Sequence, residues 1–493
     1  MMLTFYFSGH NLEYESRNEL RIFDLNIDYK IKSTDELRYN EGLGLVSILE
    51  KKDGFAISKA CLYVNDKLLF EAEYNSNDIL LEWESIKKMN KTLVVKSIHS
   101  VLKNFYNVTP DYGILTGVRV VKIMIDARKH GKSNDEITRI LRDTYEVTDA
   151  KIKLLWDILS IEEKYIDIEH NNTNYNLYVG IPFCPSKCSY CSFTSFINCK
   201  EDKVDEYIEM LVYEIEETIK MAKMKGLNLN TVYIGGGTPS LLTENQINTI
   251  FDTIKQYYDL SKIKEVTFEA GRPDTLTKEK LRCLKENKVG RISINPQTMN
   301  EKTLKSIGRN HTADEIVNTY EIARKIGFDS INMDVIIGLP GEDELDVKRT
   351  ISEIVKLRPE NITVHALAYK KKSELTREST DLSKDYDVIR KMHEVIKHEC
   401  NEAGYKPYYM YRQKNIKGNS ENVGFTLSGK ESIYNMVIIE ELETILACGL
   451  GASSKIKTDD GRHVPHRNFK SLEEYKSRMN EIIEKKKDIM KLK

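Results

Sequence analysis

Two hydrophobic periodicities follow each other along the chain. Up to about residue 83 apolar and polar positions alternate. The stretch Gly54–Tyr74 (GFAISKACLYVNDKLLFEAEY) reads as two β-strands on either side of the turn pair Asn65-Asp66. From about Asp78 to Tyr165 the apolar spacing changes to three and four residues, in segments such as LVVKSIHSVLKNFY and NDEITRILRDTY, which predicts helices. The polar run His170-Asn-Asn-Thr-Asn174 predicts a linker. A boundary there leaves an N-terminal α+β domain over residues 1–170.

Beyond it, short aliphatic runs alternate with amphipathic helices. Strands are predicted at Tyr175–Ile181, Thr231–Ile234, Glu265–Glu269, Val289–Ile294, Ser330–Ile337 and Asn361–Leu367, with helices between them such as Lys203–Lys225 and Thr243–Tyr258. Such alternation predicts an α/β fold, a partial (β/α)6 TIM-like barrel over 171–375, with its chemistry at the C-terminal ends of the strands. Residues 376–493 read as a mixed, mainly helical region on the substrate side. It has helices at Lys384–Ala403 and Ile433–Ile445, a short strand at Tyr408–Arg412, and a Lys-rich end, Glu481–Lys493, that reads as a solvated helical tail.

Composition narrows the function. The 493 residues carry 74 Lys+Arg and 76 Asp+Glu, a formal net charge of −2. A near-neutral balance argues against nucleic-acid binding. No apolar run reaches the length of a transmembrane helix, and the N-terminus is too polar for a secretory signal. A cytoplasmic monomer is the expectation. The eight cysteines are Cys61, Cys184, Cys188, Cys191, Cys199, Cys283, Cys400 and Cys448. Three crowd into Cys184–Cys191 and the rest are scattered, a pattern of metal ligation rather than of disulfides.

That crowding is a Cys-x3-Cys-x2-Cys motif directly after the first predicted barrel strand. Thiolates are the usual ligands of iron–sulfur cubes, and three of them leave one of four irons open. An open iron is what S-adenosylmethionine (SAM) chemistry needs, because the amine and carboxylate of the methionine part can chelate it. A zinc site would instead pair two short clips, the second drawn from Cys199, His170 or a distant residue. Cys199 is either a fourth ligand or an ordinary residue.

Other candidate groups end the next strands. Tyr233-Ile-Gly-Gly-Gly-Thr-Pro-Ser240 closes the second strand. Its glycines predict close backbone approach to a ligand and N–H donors for a carboxylate, against the plainer reading of a tight turn. Glu269, Gln297 and Asp334 end the third, fourth and fifth strands. Polar ends on successive strands converge on one mouth.

These residues resemble the oxygen-independent coproporphyrinogen III oxidase family of radical SAM proteins, and its HemZ-like branch in particular. The resemblance runs through the cysteine motif, GGGTPS, EAGRPD, NPQT, GRNHTADE, NMDVIIGLPGE and HALAY. Outside the barrel it includes Thr116-Gly-Val-Arg119, Tyr411-Arg-Gln-Lys-Asn415, Glu421-Asn-Val-Gly424 and Gly449-Leu-Gly-Ala452. It implies a [4Fe–4S] cluster on Cys184, Cys188 and Cys191. It also implies SAM held by Tyr178, Tyr190, Gly236, Gly237, Thr238 and Glu269, and a second SAM position at Gln297, Arg309, Asp334 and Ala368. Arg309 could equally face a substrate carboxylate, or lie on the surface. The implied reaction is oxidative decarboxylation of two propionates of coproporphyrinogen III to vinyls, giving protoporphyrinogen IX, with flavodoxin or ferredoxin as electron donor. Arg119, Lys122, Arg412 and Lys414 are candidates for a cationic rim around the tetrapyrrole; the plainer reading is surface charge.

The match has departures. The family's decarboxylases carry a further Cys two residues after the third ligand. Here Phe193 stands there, as an aromatic does in the related haem-chaperone branch. That branch's His-Asn-x-x-Tyr-Trp motif is absent, and the two tryptophans, Trp83 and Trp156, lie in the N-terminal region. The alternative is therefore a haem-binding or haem-trafficking protein that keeps the cluster and SAM site, with His10, His99, His365 and His393 as candidate haem ligands, or another radical SAM tetrapyrrole enzyme. The first 170 residues match neither branch and read as a mouth cover, a redox-partner platform or a structural cap.

Overall fold

The two periodicities correspond to two kinds of layer. A computed structural model describes residues 2–24, 27–33, 42–117, 119–165, 173–193, 195–368, 373–377, 382–413, 416–458 and 461–491. By contacts the chain divides into two units. The first comprises Met1–Asp157, Thr380–Arg390 and Tyr411–Glu421, and the second the remainder.

The first unit holds β1 (Met2–Ser8), α1 (Glu13–Phe23), β2 (Asp28–Ser33), β3 (Leu43–Lys52), β4 (Phe55–Val64) and β5 (Lys67–Asn75). Then come α2 (Ile86–Tyr106), α3 (Val121–Lys129), α4 (Asn134–Arg139) and most of α5 (Asp149–Glu162). The sheet order is β2-β1-β3-β4-β5. Asn65 and Asp66 both take positive φ, 46° and 64°, as a two-residue hairpin turn demands. The alternating apolar positions Leu3, Phe5, Leu43, Leu45, Ala60 and Leu62 face Val94, Ile98, Val101 and Leu102 of α2 across a shared core.

Two expectations fail inside this unit. Arg412 is no rim residue. It is buried, stacked 4.3 Å from the Tyr112 ring centroid, and its guanidinium donates to the Leu115, Asn419 and Ser420 carbonyls. Arg119 and Lys122 belong to this unit too, whereas Lys414 lies outside the described residues. His99 is no haem ligand either, because its Nδ1 is 2.5 Å from Glu19 and its Nε2 lies 3.9 Å from Glu146 in the core.

The second unit begins with β6 (Asn174–Ile181); the linker expected at His170–Asn174 falls largely outside the described residues. There follow β7 (Phe183–Cys184), β8 (Phe196–Ile197), α6 (Glu201–Met224), β9 (Asn228–Gly236), α7 (Glu244–Lys255), β10 (Glu265–Glu269) and α8 (Lys278–Glu286). Next come β11 (Arg291–Ser293), α9 (Glu301–Ser306), α10 (Ala313–Ile326), β12 (Ser330–Ile337), α11 (Glu344–Leu357) and β13 (Asn361–Ala366). The six expected strands are β6 and β9 to β13, paired in parallel in chain order as a partial barrel. Fully buried parallel strands read as aliphatic runs, which is why they are legible in the sequence. Helices start on side-chain caps, such as Thr243 with Gln246 on α7 and Thr312 with Glu315 on α10.

The C-terminal region supplies α12 (Leu382–Glu402), β14 (Lys406–Tyr411), β15 (Asn422–Thr426), α13 (Ile433–Glu440), β16 (Thr444–Cys448), β17 (Ser453–Lys457), β18 (His463–Arg467), α14 (Leu472–Ser477) and α15 (Met479–Met490). The helix expected at Ile433–Ile445 ends early. Glu441 takes φ +51°, and the chain turns into β16, which runs parallel to β6 on its outer side. Nor is the Lys-rich end a solvated tail. Lys486 of α15 is completely buried, with its ammonium on Glu214 of α6 at 2.7 Å, the Ala447 carbonyl at 2.9 Å and Thr218 at 3.2 Å. Among the described residues no helix is long and apolar enough to cross a membrane.

Candidate functional site

The cysteine loop leaves β6 at the C-terminal end of the sheet. It is folded back on itself by the short parallel pair β7–β8 and by the turn bond from the Cys191 N–H to the Cys188 carbonyl, 3.0 Å. Neighbouring strand-end loops clamp it. The Ser189 N–H donates to the Ile307 carbonyl at 3.2 Å, while the Glu374 N–H and the Ser373 hydroxyl reach the Ser189 carbonyl, both at 2.9 Å. Tyr190 packs with Ile307, Ile336, Leu339, Leu367 and Leu375. Its hydroxyl accepts two bonds from Arg309, 3.2 and 2.9 Å. Arg309 is thus buried, not a surface residue, and it also reaches the Gly271 and Asn295 carbonyls.

The glycine turn after β9 sits directly beneath this loop. Gly236 has φ +122°, a conformation favouring glycine, and a Cβ there would lie 2.8 Å from the Ile181 carbonyl. A Cβ on Gly237 would meet the Phe183 carbonyl at 2.6 Å and the Cys184 sulfur at 2.9 Å. The glycines do bring the backbone close, but to the cysteine loop. Their N–H donors are not free. The Gly236, Gly237 and Thr238 N–H groups donate to Glu269, the Ile181 carbonyl and the Phe183 carbonyl. The turn spends its donors holding the cysteine loop, and the Thr238 hydroxyl points at the Cys184 sulfur, 3.4 Å away. Gly237→Ala is expected to weaken SAM binding by at least about tenfold, since both colliding atoms belong to the cysteine loop. Calorimetry on iron-loaded protein measures it, and an unchanged affinity would refute the packing argument.

Glu269 links the turn to the barrel interior. It accepts from the Tyr233 hydroxyl at 2.5 Å and the Gly236 N–H at 3.0 Å. Burial pushes its carboxyl up to about 7, with nearby Asp334 adding to the rise and those two donors opposing it. This value lies above the ordinary 4.5, so the folded chain without cofactors grips the proton more tightly than the unfolded chain. The resulting contribution to stability is full below the ordinary value and is lost as pH rises through about 7. Cofactor-free protein should lose thermal stability from this group between about pH 5 and 8, and Glu269→Gln should flatten that slope. An identical slope in the variant would assign the effect elsewhere.

Asp334 sits two strands further on, on β12. Burial would push it up, yet His365 with Nε2 at 3.7 Å and donors from Asn332 and Thr363 hold it below the ordinary carboxylate range. Gln297 carries φ +66°, rare for its residue type, and its backbone is pinned to β12 through the Asp334 carbonyl and the Ile336 N–H. Ala368 follows β13 at the limit of the described residues.

Several contributors went unread in the sequence. Tyr178, expected at the site, stacks on Tyr233 at 6.1 Å, and Tyr233 stacks on Tyr434 of α13 at 4.3 Å. Tyr233 was legible as the aromatic at an inward position of β9, two residues before Gly235. Tyr434 carries no local signal. Ser293 Oγ, Asn295 Oδ1, Gln297 Oε1 and the Tyr434 hydroxyl are buried without hydrogen-bond partners among the described residues. Buried polar atoms are rarely left so, and a row of them at one barrel mouth fits a polar ligand such as SAM. The three thiols fit the cluster. They stand on one short loop, and a four-iron cube holds its thiolates at separate corners. Cys199 is half-buried before α6, its thiol pushed up by burial alone. Phe193 is 68% exposed beside the loop.

The sequence profile of the Radical SAM superfamily matches residues 178–354. The oxygen-independent coproporphyrinogen-III oxidase-like protein HemZ of Bacillus subtilis (strain 168) is 38% identical over 412 residues, 83% of this chain and 82% of that one. The heme chaperone HemW of the same organism is 36% identical over 197 residues, 40% of this chain and 51% of that one. Coproporphyrinogen III oxidase (HemN) from Escherichia coli, a solved radical SAM enzyme, superposes with a TM-score of 0.52 at 21% identity over 64% of this chain and 71% of that one, a likeness of fold.

Proposed function

Because the chain belongs to the radical SAM superfamily, in its HemZ-like branch, we propose that it is an oxygen-independent coproporphyrinogen III dehydrogenase that converts two propionates to vinyls to give protoporphyrinogen IX. The observation that carries this reading is the convergence of the three-cysteine loop, the glycine turn and the orphaned polar atoms of β11 and the segment after it on one barrel mouth. The family works with a [4Fe–4S] cluster and SAM. When bound, they would supply a 5′-deoxyadenosyl radical able to take a hydrogen from the propionate β-carbon, with loss of carbon dioxide and of one electron to an acceptor.

The chain's own residues orient that chemistry. Cys184, Cys188 and Cys191 hold the cluster, and Thr238 and the glycine turn fix the loop that carries them. Glu269, half-buried at the end of β10, offers a carboxylate to the cationic end of SAM. Tyr178 and Tyr190 border the SAM site. Gln297, Arg309, Asp334 and Ala368 line the next positions along the mouth, where a second SAM or a substrate carboxylate binds. A cytoplasmic monomer fed by flavodoxin or ferredoxin completes the picture.

Phe193 favours a second reading, a haem-handling protein that retains the site, since it replaces the decarboxylases' extra Cys. One anaerobic assay separates the two. The protein is reconstituted with iron and sulfide, then given SAM, a reductant and coproporphyrinogen III. Protoporphyrinogen with 5′-deoxyadenosine supports the first reading. Deoxyadenosine without decarboxylated product sinks it, and stoichiometric haem binding without turnover supports the second.

A further inference from the structure

Two guanidiniums are buried beside the cysteine loop, and only one of them has been given a role above. Arg272 follows β10 and is 4% exposed. Its Nε and one terminal nitrogen fork onto the two oxygens of Asp274, 3.0 and 2.8 Å. Its other terminal nitrogen donates to the Ser186 hydroxyl at 2.9 Å and lies 4.0 Å from the Cys188 sulfur. Ser186 is itself aimed at the Gly308 carbonyl, and a Cβ on Gly308 would press on the Lys187 carbonyl at 3.1 Å, so the loop has little room to move away from the guanidinium. The planar fork leaves the arginine one orientation.

We infer that Arg272 sets the reduction potential of the cluster through Cys188, with Asp274 as its counterweight. This rests on Cys188 being a cluster ligand. Reduction adds one negative charge to the cube, and a cation held near a ligating sulfur in a poorly solvated site favours the reduced form. Hydrogen bonds to cluster sulfurs act in the same direction. Asp274 subtracts from the effect and at the same time aims the guanidinium. Next to them His311 is buried, and burial with the two arginines pushes it down to about 4, so it adds no charge at neutral pH. Near Cys188 the charges of Arg272 and Arg309 stand against that of Asp274, an excess of one positive charge, while the adjacent Lys187 is offset by Glu374 at 3.5 Å.

The test is an EPR-monitored redox titration of the full-length, iron-loaded protein at neutral pH, in the wild type and in Arg272→Met, Arg272→Lys and Asp274→Asn. The expected shifts have opposite signs: more negative for Arg272→Met, more positive for Asp274→Asn, and little change for Arg272→Lys. Loss of packing alone would not reverse sign between the two partners of one ion pair. Shifts of the same sign, or none in variants that keep full iron and wild-type signals, overturn the inference. If Arg272→Met does not load iron, the remaining two variants decide: a positive shift in Asp274→Asn with an unmoved Arg272→Lys upholds it, and anything else overturns it. Iron retained in Cys188→Ala would instead remove the ligand assignment itself, a separate outcome from an unmoved potential.

Discussion

Cys188→Ala is expected to abolish cluster assembly, taking iron from about four atoms per chain to near zero and with it the visible absorption of the cube. Three thiolates are the minimum that holds such a cube while leaving an iron open, and Cys188 is the middle one, buried at the turn to Cys191. Removing it leaves two ligands, which support at most a labile, smaller species. The fold should survive, because the loop is also held by Ile307, Ser373 and the glycine turn, none of which uses the Cys188 sulfur. A melting temperature near wild type with iron lost is the signature sought. Iron at the wild-type level in this variant would end the cluster assignment.

Lys486→Met should destabilise the protein by about 3–5 kcal/mol, the cost of leaving a buried charge without its partner. The charge left behind is Glu214. In the wild type each of its oxygens accepts two bonds, one pair from Lys486 and Asn468, the other from the Gly449 N–H and Tyr475. Burial by itself would lower the lysine, but Cys448 and Glu214 outweigh it and keep the ammonium above its ordinary value. The effect reaches the site because the Tyr207 hydroxyl ties the Gly180 carbonyl to the Leu450 N–H, next to Gly449, where a Cβ would lie 2.6 Å from that carbonyl. Denaturant unfolding measures the loss. The double variant Glu214→Leu, Lys486→Met should recover part of it, because no unpaired charge then remains. No recovery would place the role of Lys486 in packing of its stem alone.

The sequence conveyed what is local and periodic. Six strands were readable because each is an aliphatic run, and the candidate cluster loop because three cysteines crowd into Cys184–Cys191. β16 was not readable. Thr444-Ile-Leu-Ala-Cys448 continues the apolar run of α13, and only the left-handed Glu441 separates them. Lys486 was misread for a related reason: a lysine inside a lysine-rich stretch looks solvated, and its partner lies 272 positions earlier in the chain. The strained Gln297 and Tyr434 in the aromatic stack are likewise products of long-range placement. The donors of the glycine turn were recognised as present but assigned outward, because which carbonyl each one meets depends on a neighbouring strand.

The pairing of β16 with β6 bears on how the protein is made. The strand that delivers the cysteines leaves the ribosome well before the segment that pairs along its outer edge, Thr444–Cys448. Until then one whole edge of β6 is an unpaired ladder, the kind of surface that recruits wrong partners. Iron delivery to a half-made chain would meet three thiols on an unsupported loop. A chain that stops before Thr444 would therefore carry its three cysteines beside an unpaired strand edge.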